Sequence, residues 1–455
     1  MRDLFITLAV FGSMPFILRR PYIGILMWAW LSYMNPHRLA WGFATEFPFA
    51  EVIALATLTG MLFSKEPKNI PWTRESILLV LLILWMVLTT FFAIHSQLAW
   101  EKMEKVAKIQ LMTFATLMLI QSRYRLHLLV WVIALSIAFF GIKGGIFTIT
   151  HGGAYQVRGP WGSFIAGNNE IGLAIIMVIP LLRYLQLTSR KIWLRHGFAV
   201  SMWLCALAAI GTHSRGALVA GVVTGILFWF KSRKKFGATI LLVFAVISVI
   251  FIMPQEWRDR MHTIENYQQD ASALGRINAW KFAFNLAKAR PLVGGGFESF
   301  QEDLFAIYAP DPEGVHDAHS IYFKMLAEHG FIGLGLFLLL GLFTWRTGTR
   351  IKKLAKNIAE LQWAQDLASM LQVSLISYAI GGIFLGLSYF DLAYALVALM
   401  VLCKSIVERH LAEQPIAEVS VSTPKTVLTR RGVATGTTSG RGGPTTAPTS
   451  STSIS

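Results

Sequence analysis

Long apolar runs separated by short polar ones recur along almost the whole of the 455-residue chain. They fall near residues 4–18, 21–35, 48–63, 76–94, 104–121, 126–148, 168–187, 193–211, 216–231, 236–253, 320–345, 368–387 and 389–407. A helix crossing a bilayer needs roughly 20 mostly apolar residues. In lipid every backbone polar group must be satisfied within the segment, so helices are the expected form. The first two runs meet at Arg19-Arg20-Pro21, and proline cannot continue a helical ladder. They count as two spans or as one broken hairpin. The pattern predicts an all-α, polytopic integral membrane protein with 12 or 13 transmembrane helices. It divides into N-terminal helices (1–150), core helices (151–253), a polar loop domain (254–319), C-terminal helices (320–410) and a tail (411–455).

The longest interruption, Pro254 to Gly330, is too polar to cross a bilayer and holds the densest chemistry in the chain. The tail is Ser, Thr, Gly and Pro with scattered Arg, a composition too polar to offset the entropy of ordering, so it is expected to be disordered.

Composition agrees with the pattern. The chain is 54% hydrophobic and 15% charged, against about 25% charged in soluble domains. A net charge of +16 would suggest nucleic acid on a soluble protein, but no nucleic-acid module is visible. Lys and Arg cluster instead in five short loops, 64–74, 122–127, 188–196, 231–236 and 346–356. Strict alternation of spans puts all five on one side, the cytoplasm by the positive-inside rule. The segments 35–48, 95–104, 148–167, 211–216 and the polar island then lie on the outer side, and so does Met1 if the first two runs both span. Cys205 and Cys403 both fall inside apolar runs and indicate neither a disulfide framework nor a metal cluster. The N-terminus lacks a small-residue cleavage site and reads as a first membrane segment.

Candidate chemistry concentrates on the outer side. Over 275–289, Ile277, Trp280, Phe284 and Ala287 form one helical face, with Asn278, Lys281, Asn285 and Lys288 as a polar stripe beside it. Two readings are open: anchoring to lipid headgroups, or Arg276 facing a phosphate, which its planar fork matches. The glycines 294–296 suit a turn, or a backbone cradle for phosphate. In THSRGA (212–217), Arg215 is an outer-face arginine, unusual under the positive-inside bias; it is either a snorkelling cation or a functional one. In DPEGVHDAHS (311–320), Asp317 or Ser320 caps the following helix, and His316 and His319 precede it. His319 is suited to take a proton from an attacking hydroxyl. The alternatives are a purely structural histidine pair, or a metal held by Asp311, Glu313, His316, Asp317 and His319, although no standard zinc spacing is present. Arg158, Asn168 and Asn169 open an apolar helix on the outer side, as ligands or as a simple cap. Lys108 lies within an apolar run, as a functional group or a snorkelling one.

SRG at a short outer turn, GRINAW with PLVGGGFESF, and AHSIYFKMLAEHGFIGLG together resemble the O-antigen ligase and polymerase superfamily, over roughly residues 150–345. RRPYIGILMWAWLSYMNPHRLAWGF (19–43) is similar to exosortase A-associated putative O-glycosylation ligases. The resemblance implies a glycosyltransferase of the bacterial inner membrane with one large periplasmic loop domain and an active site facing the periplasm. It implies an undecaprenyl diphosphate-linked glycan as donor, a glycan, lipid or protein acceptor, and neither metal nor other cofactor. Arg215 and Arg276 would hold the donor diphosphate and His319 would be the general base or acceptor-positioning residue. Arg158 would assist, with Asn168, Lys281 and His316 as further substrate contacts. Ser320 stands where the family motif has asparagine. Preorganised arginines would stabilise charge that grows on the leaving diphosphate. No close carboxylate pair stands out for a retaining route, so direct displacement with inversion is expected. A polymerase shares this chemistry; a transporter would keep polar residues at the bilayer midplane, often in inverted repeats, and no repeat is visible.

Overall fold

Apolar residues that leave no polar face can only be covered by other helices or by lipid, and the chain folds accordingly. A computed structural model describes residues 1–231 and 271–413. The apolar run 236–253, the island's first part (254–270) and the tail from 414 lie outside the described residues.

Among the described residues, nine helices precede the island: α1 (Arg2–Arg19), α2 (Tyr22–Met34), α3 (Phe49–Phe63), α4 (Arg74–Phe91), α5 (Ser96–Leu119), α6 (Arg123–Thr150), α7 (Asn168–Thr188), α8 (Ile192–Gly211) and α9 (Arg215–Lys231). The island contributes α10 (Ala271–Ala289) and α11 (Glu302–Tyr308), and α12 (Ile321–Leu354), α13 (Gln362–Gly381) and α14 (Asp391–Glu413) complete the described chain. The described residues contain no strand. Among the described residues, five helices, α4, α6, α7, α8 and α12, are long and apolar enough to cross a membrane, and α2 and α3 are shorter apolar helices.

The helix α7 is the hub. From Ile171 to Leu182 every residue is buried, between α6, α8, α9 and α13. Its Met177 carbonyl accepts a hydrogen bond from Ser374 Oγ at 2.7 Å. Elsewhere large apolar side chains such as Leu4, Phe5, Leu55, Leu62 and Leu84 remain exposed, which suits a lipid-facing surface.

Two of the loops expected on one side, 64–74 and 122–127, are joined to each other. Arg125 makes a bidentate pair with Glu66, Gln121 bonds the Asn69 carbonyl, and Arg350 pairs with Glu408. Separately, Asp3 accepts from the Gly42 and Ala44 amides, Val157 N bonds Gly211 O, and Ile94 N bonds Gly295 O.

Several boundaries differ from expectation. The helix α5 begins at Ser96, eight residues early, because Lys102, Glu104 and Lys108 find carboxylate or ammonium partners along it. Lys108 pairs with Glu104 and Glu51 at an exposed position. The helix α12 runs on to Leu354 through the basic segment, while α13 ends at Gly381 and leaves 382–390 as a loop.

The glycine triplet has a structural task. At Gly330 the backbone of α12 breaks (φ 66°, ψ −169°). The carbonyls of Ala327 and Glu328, released from helical bonding, accept the amides of Gly295 and Gly296 at 2.7 and 2.9 Å. A Cβ on Gly330 would stand 2.6 Å from the Pro291 carbonyl oxygen. Left-handed backbone alone costs an L-residue roughly 1–2 kcal/mol. Gly330→Ala is therefore expected to lower the thermal midpoint of the detergent-solubilised protein by several degrees. Gly335→Ala, where a Cβ meets nothing within 4 Å, is the control and should leave it unchanged.

Candidate functional site

The segment 311–320 has no regular structure, so its shape must be imposed by neighbours. The helix α10 supplies most of them. Asn278, buried, donates to the carbonyls of Asp311 and Gly314 and accepts from the Asp311 amide. Asn285 bonds the Tyr308 carbonyl, and Trp280 Nε1 donates to Ala318 O at 2.8 Å. The Trp280 ring stacks on Phe323 at 5.0 Å.

The apolar face of α10 is not the expected one. Ala279, Phe282, Ala283 and Leu286 are fully buried against Leu304, Phe305 and Ala327, whereas Phe284 is 46% exposed. The small alanines let α10 approach α11 and α12, so protein covers this face. The stripe Asn278–Asn285 is used for loop bonding, and Lys281 stands exposed on it. Among the described residues no contact joins Lys281 to the histidines.

His319 sits in left-handed backbone (φ 41°), a conformation uncommon outside glycine and typical of functional sites. Its amide donates to Asp317 Oδ2 at 3.3 Å, so Asp317 closes the turn locally. Its Nδ1 lies 3.9 Å from the same oxygen. Asp317 Oδ1 accepts from Lys324 Nζ at 2.9 Å, and Lys324 is only 9% exposed. Burial raises the Asp317 pKa, but the Lys324 charge and hydrogen bond outweigh it and hold the carboxyl below its usual range. Ser320 is the N-cap position of α12 without making a side-chain cap bond, so the capping role expected of Asp317 or Ser320 becomes the Asp317 turn.

The Arg215 turn reads residue by residue. The Ser214 hydroxyl accepts the Ala217 amide at 3.2 Å, an N-cap interaction. Arg215 is then the first residue of α9, where the helix N-terminus itself favours anions. Gly216 allows a close approach, since a Cβ there would meet Phe384 Cβ at 3.2 Å. Asn168 Nδ2 donates to Thr212 O at 2.9 Å, so that asparagine braces the turn. Arg158 is exposed, 3.3 Å from Gln156 Oε1, beside the Val157–Gly211 backbone bond.

One loop links these pieces. Residues 384 and 385 pack on Gly216, and at Gly386 a Cβ would come within 2.7 Å of Asp317 Oδ2 and 3.9 Å of His319 Cα. Ile321 N bonds Gly382 O, and Ser388 Oγ bonds Ile321 O. On the far side, Gly275, which precedes Arg276, lies against the His316 ring, its Cβ position 2.7 Å from Nε2. The Arg215 turn, the start of α10 around Arg276 and the 316–319 turn thus share one neighbourhood. Among the described residues no three His, Cys, Asp or Glu side chains gather as a metal site, so the alternative ligand set of the 311–319 segment is not assembled.

A second network of charged and polar residues borders this neighbourhood. Lys102 pairs with Glu298 at 2.8 Å. Glu298 N donates to Glu328 Oε1, Glu328 accepts from the Tyr389 hydroxyl, and His329 joins Tyr389 to Thr89 at 2.8 and 2.7 Å. Glu328 and His329 are fully buried. The signal was present: Lys324 and Glu328 are ionisable groups one turn apart at the start of an apolar helix, which marks a functional candidate by default.

Two family models match the chain. Residues 200–338 match one described as O-Antigen ligase, and residues 1–190 match a family of unknown function, DUF5935. No curated protein matches the chain.

Proposed function

We propose, from the match of residues 200–338 to the O-Antigen ligase family model, that the chain transfers a glycan from an undecaprenyl diphosphate carrier to an acceptor at the periplasmic face of the inner membrane. Arg215 and Arg276 hold the diphosphate. His319 accepts the proton of the attacking hydroxyl. The acceptor oxygen forms a bond to the anomeric carbon as the bond from that carbon to the phosphate oxygen breaks. The electron pair leaves on the diphosphate, where the two guanidinium groups stabilise it. Displacement is direct and inverts the anomeric centre. Arg158 assists at the rim, and Asn168 holds the Arg215 turn in place. His316, against Gly275, ties the histidine turn to the start of α10, and Lys281 is a peripheral contact for the glycan or for lipid phosphate.

The observation that carries this reading is the 384–386 loop, which touches both Gly216 beside Arg215 and the Asp317–His319 turn. A transporter needs its polar groups at mid-membrane, and this cluster gathers at helix ends and loops.

The test is reconstitution in liposomes with a lipid-diphosphate-linked glycan and candidate acceptors. Transfer with inverted anomeric configuration is expected, and retention of the donor's configuration would overturn direct displacement. Growth of a lipid-linked glycan by its own repeating unit would identify a polymerase instead. The side is read with a cysteine. Ser299 is fully buried, so Ala306, exposed on α11, is the position to use. Ala306→Cys should react with a membrane-impermeant maleimide on intact spheroplasts. Labelling only after lysis would reverse the orientation.

A further inference from the structure

A cavity of about 390 Å³ opens beside the histidine turn, lined by Lys102, Ser163, Phe164, Ala166, Gly167, Glu170, Lys324 and residues 386, 387, 389 and 390. Its volume lies within the range of small-molecule sites. Its charge is distinctive. The two lysines are each paired with a carboxylate, Lys102 with Glu298 and Lys324 with Asp317. Glu170 adds a third carboxylate, folded back over Gly167. Only Lys102, Lys324 and Glu170 of these groups line the cavity. With Glu298 and Asp317 neutralising the two lysines from outside the lining, it offers no net positive charge to a diphosphate and differs in kind from the arginine-bearing turns.

Its hydrogen-bonding capacity is mixed. Each ammonium carries three donors and spends one on its carboxylate. Glu170, among the described residues, makes no ion pair and presents acceptor oxygens. Phe164, 42% exposed, offers an apolar face. Paired donors and acceptors with an aromatic wall suit a ring bearing several hydroxyls.

We propose that this cavity is a subsite for one uncharged, polyhydroxylated sugar ring of a glycan substrate, held by Lys102, Lys324 and Glu170 against Phe164. The proposal rests on the glycan-transfer reading only for which substrate delivers the ring. Most of the wall, Lys102 and Ser163 to Glu170, lies within residues 1–190, the segment matched by the family of unknown function. Lys324 alone comes from the 200–338 segment. The first segment thereby gains a role in choosing the sugar, while the second carries the arginines and His319.

The direct test is saturation-transfer NMR on the full chain in a sugar-free detergent. The probes are methyl glycosides of glucose, galactose, mannose and N-acetylglucosamine, with methyl glucuronide as the charged counterpart. At least one neutral glycoside should bind, and the glucuronide at least about tenfold more weakly, because its carboxylate would face an unpaired one. Ala166→Trp, which fills the cavity and keeps the backbone bonds of Ala166, should abolish neutral binding. Glu170→Gln leaves the volume unchanged and should bring the glucuronide to within about threefold of the neutral sugars. Equal binding by Ala166→Trp, no neutral binding to the unaltered protein, or a preference for glucuronide would overturn the subsite. In transfer assays Ala166→Trp should raise KM for the acceptor or for the donor, which identifies the source of the ring; unchanged KM for both would also overturn it. Failure of the unaltered chain to transfer any glycan would instead count against the ligase-type reading, since sugar binding is measured without turnover.

Discussion

Arg215→Ala should lower the single-turnover rate of transfer by about 10²–10³, the loss found when one preorganised donor to a developing oxyanion is removed. The charge of the leaving diphosphate grows as the anomeric bond breaks, and Arg215 stands at a helix N-terminus whose amides already favour an anion. Arg215→Lys keeps the charge and loses the two-pronged geometry, so it should recover only part of the rate. Arg276→Ala should cost a comparable factor. If both guanidinium groups act on one diphosphate, the double variant should lose less than the product of the single losses. Rates within threefold of the unaltered enzyme for both single variants, with membrane insertion intact, would remove the arginines from the mechanism.

The sequence was most legible where chemistry and burial coincide in a long repeat. A bilayer-crossing helix has a length and an apolarity that no other element shares, so the helices α1 to α9 and α12 to α14 stand near the expected positions. The misplaced ends have a common cause. Apolarity reports where lipid or core begins, not where the helix begins, and α5 extends outward because its charged first turns are paired. The buried face of α10 is not legible in its sequence, because the pattern of Ile277, Trp280 and Phe284 suits lipid headgroups as well as it suits packing. The decisive residues were the small ones, Ala279 and Ala283, whose value lies in close approach. The motif residues Arg215, Arg276 and His319 were legible as types, yet their common neighbourhood depends on Gly216, Gly275 and Gly386. Those glycines announce nothing in sequence except room. Lys324 escaped notice because a lysine four residues into an apolar helix looks like a snorkelling end group until Asp317 is seen across from it.

That pair sets up the second large effect. Lys324→Met should lower the transfer rate and, because Lys324 also lines the proposed sugar subsite, raise KM. It should also destabilise the protein, by less than the roughly 3–5 kcal/mol lost when one partner of a fully buried pair is removed, since Asp317 is one-third exposed. Asp317 would then face burial without its lysine partner, and the left-handed turn at His319 would lose its anchor. Asp317→Asn keeps the shape but weakens the acceptor that fixes the His319 amide. The double variant Asp317→Asn with Lys324→Met removes the unpaired charge and should regain most of the stability without regaining the rate. This split separates positioning of His319 from a merely structural role. The pH profile gives an independent reading. The titratable groups facing Asp317 are Lys324, His319 and Glu298. With Lys324 present the folded pKa of Asp317 is depressed. Its contribution is therefore complete above the ordinary aspartate value of about 3.9 and is lost only as pH falls through the lower folded value. Without Lys324 two of the influences that lower that pKa are gone, so it rises and the acid limb of the rate profile should move upward in Lys324→Met. An acid limb at the same pH in both proteins would show that Asp317 does not govern the site.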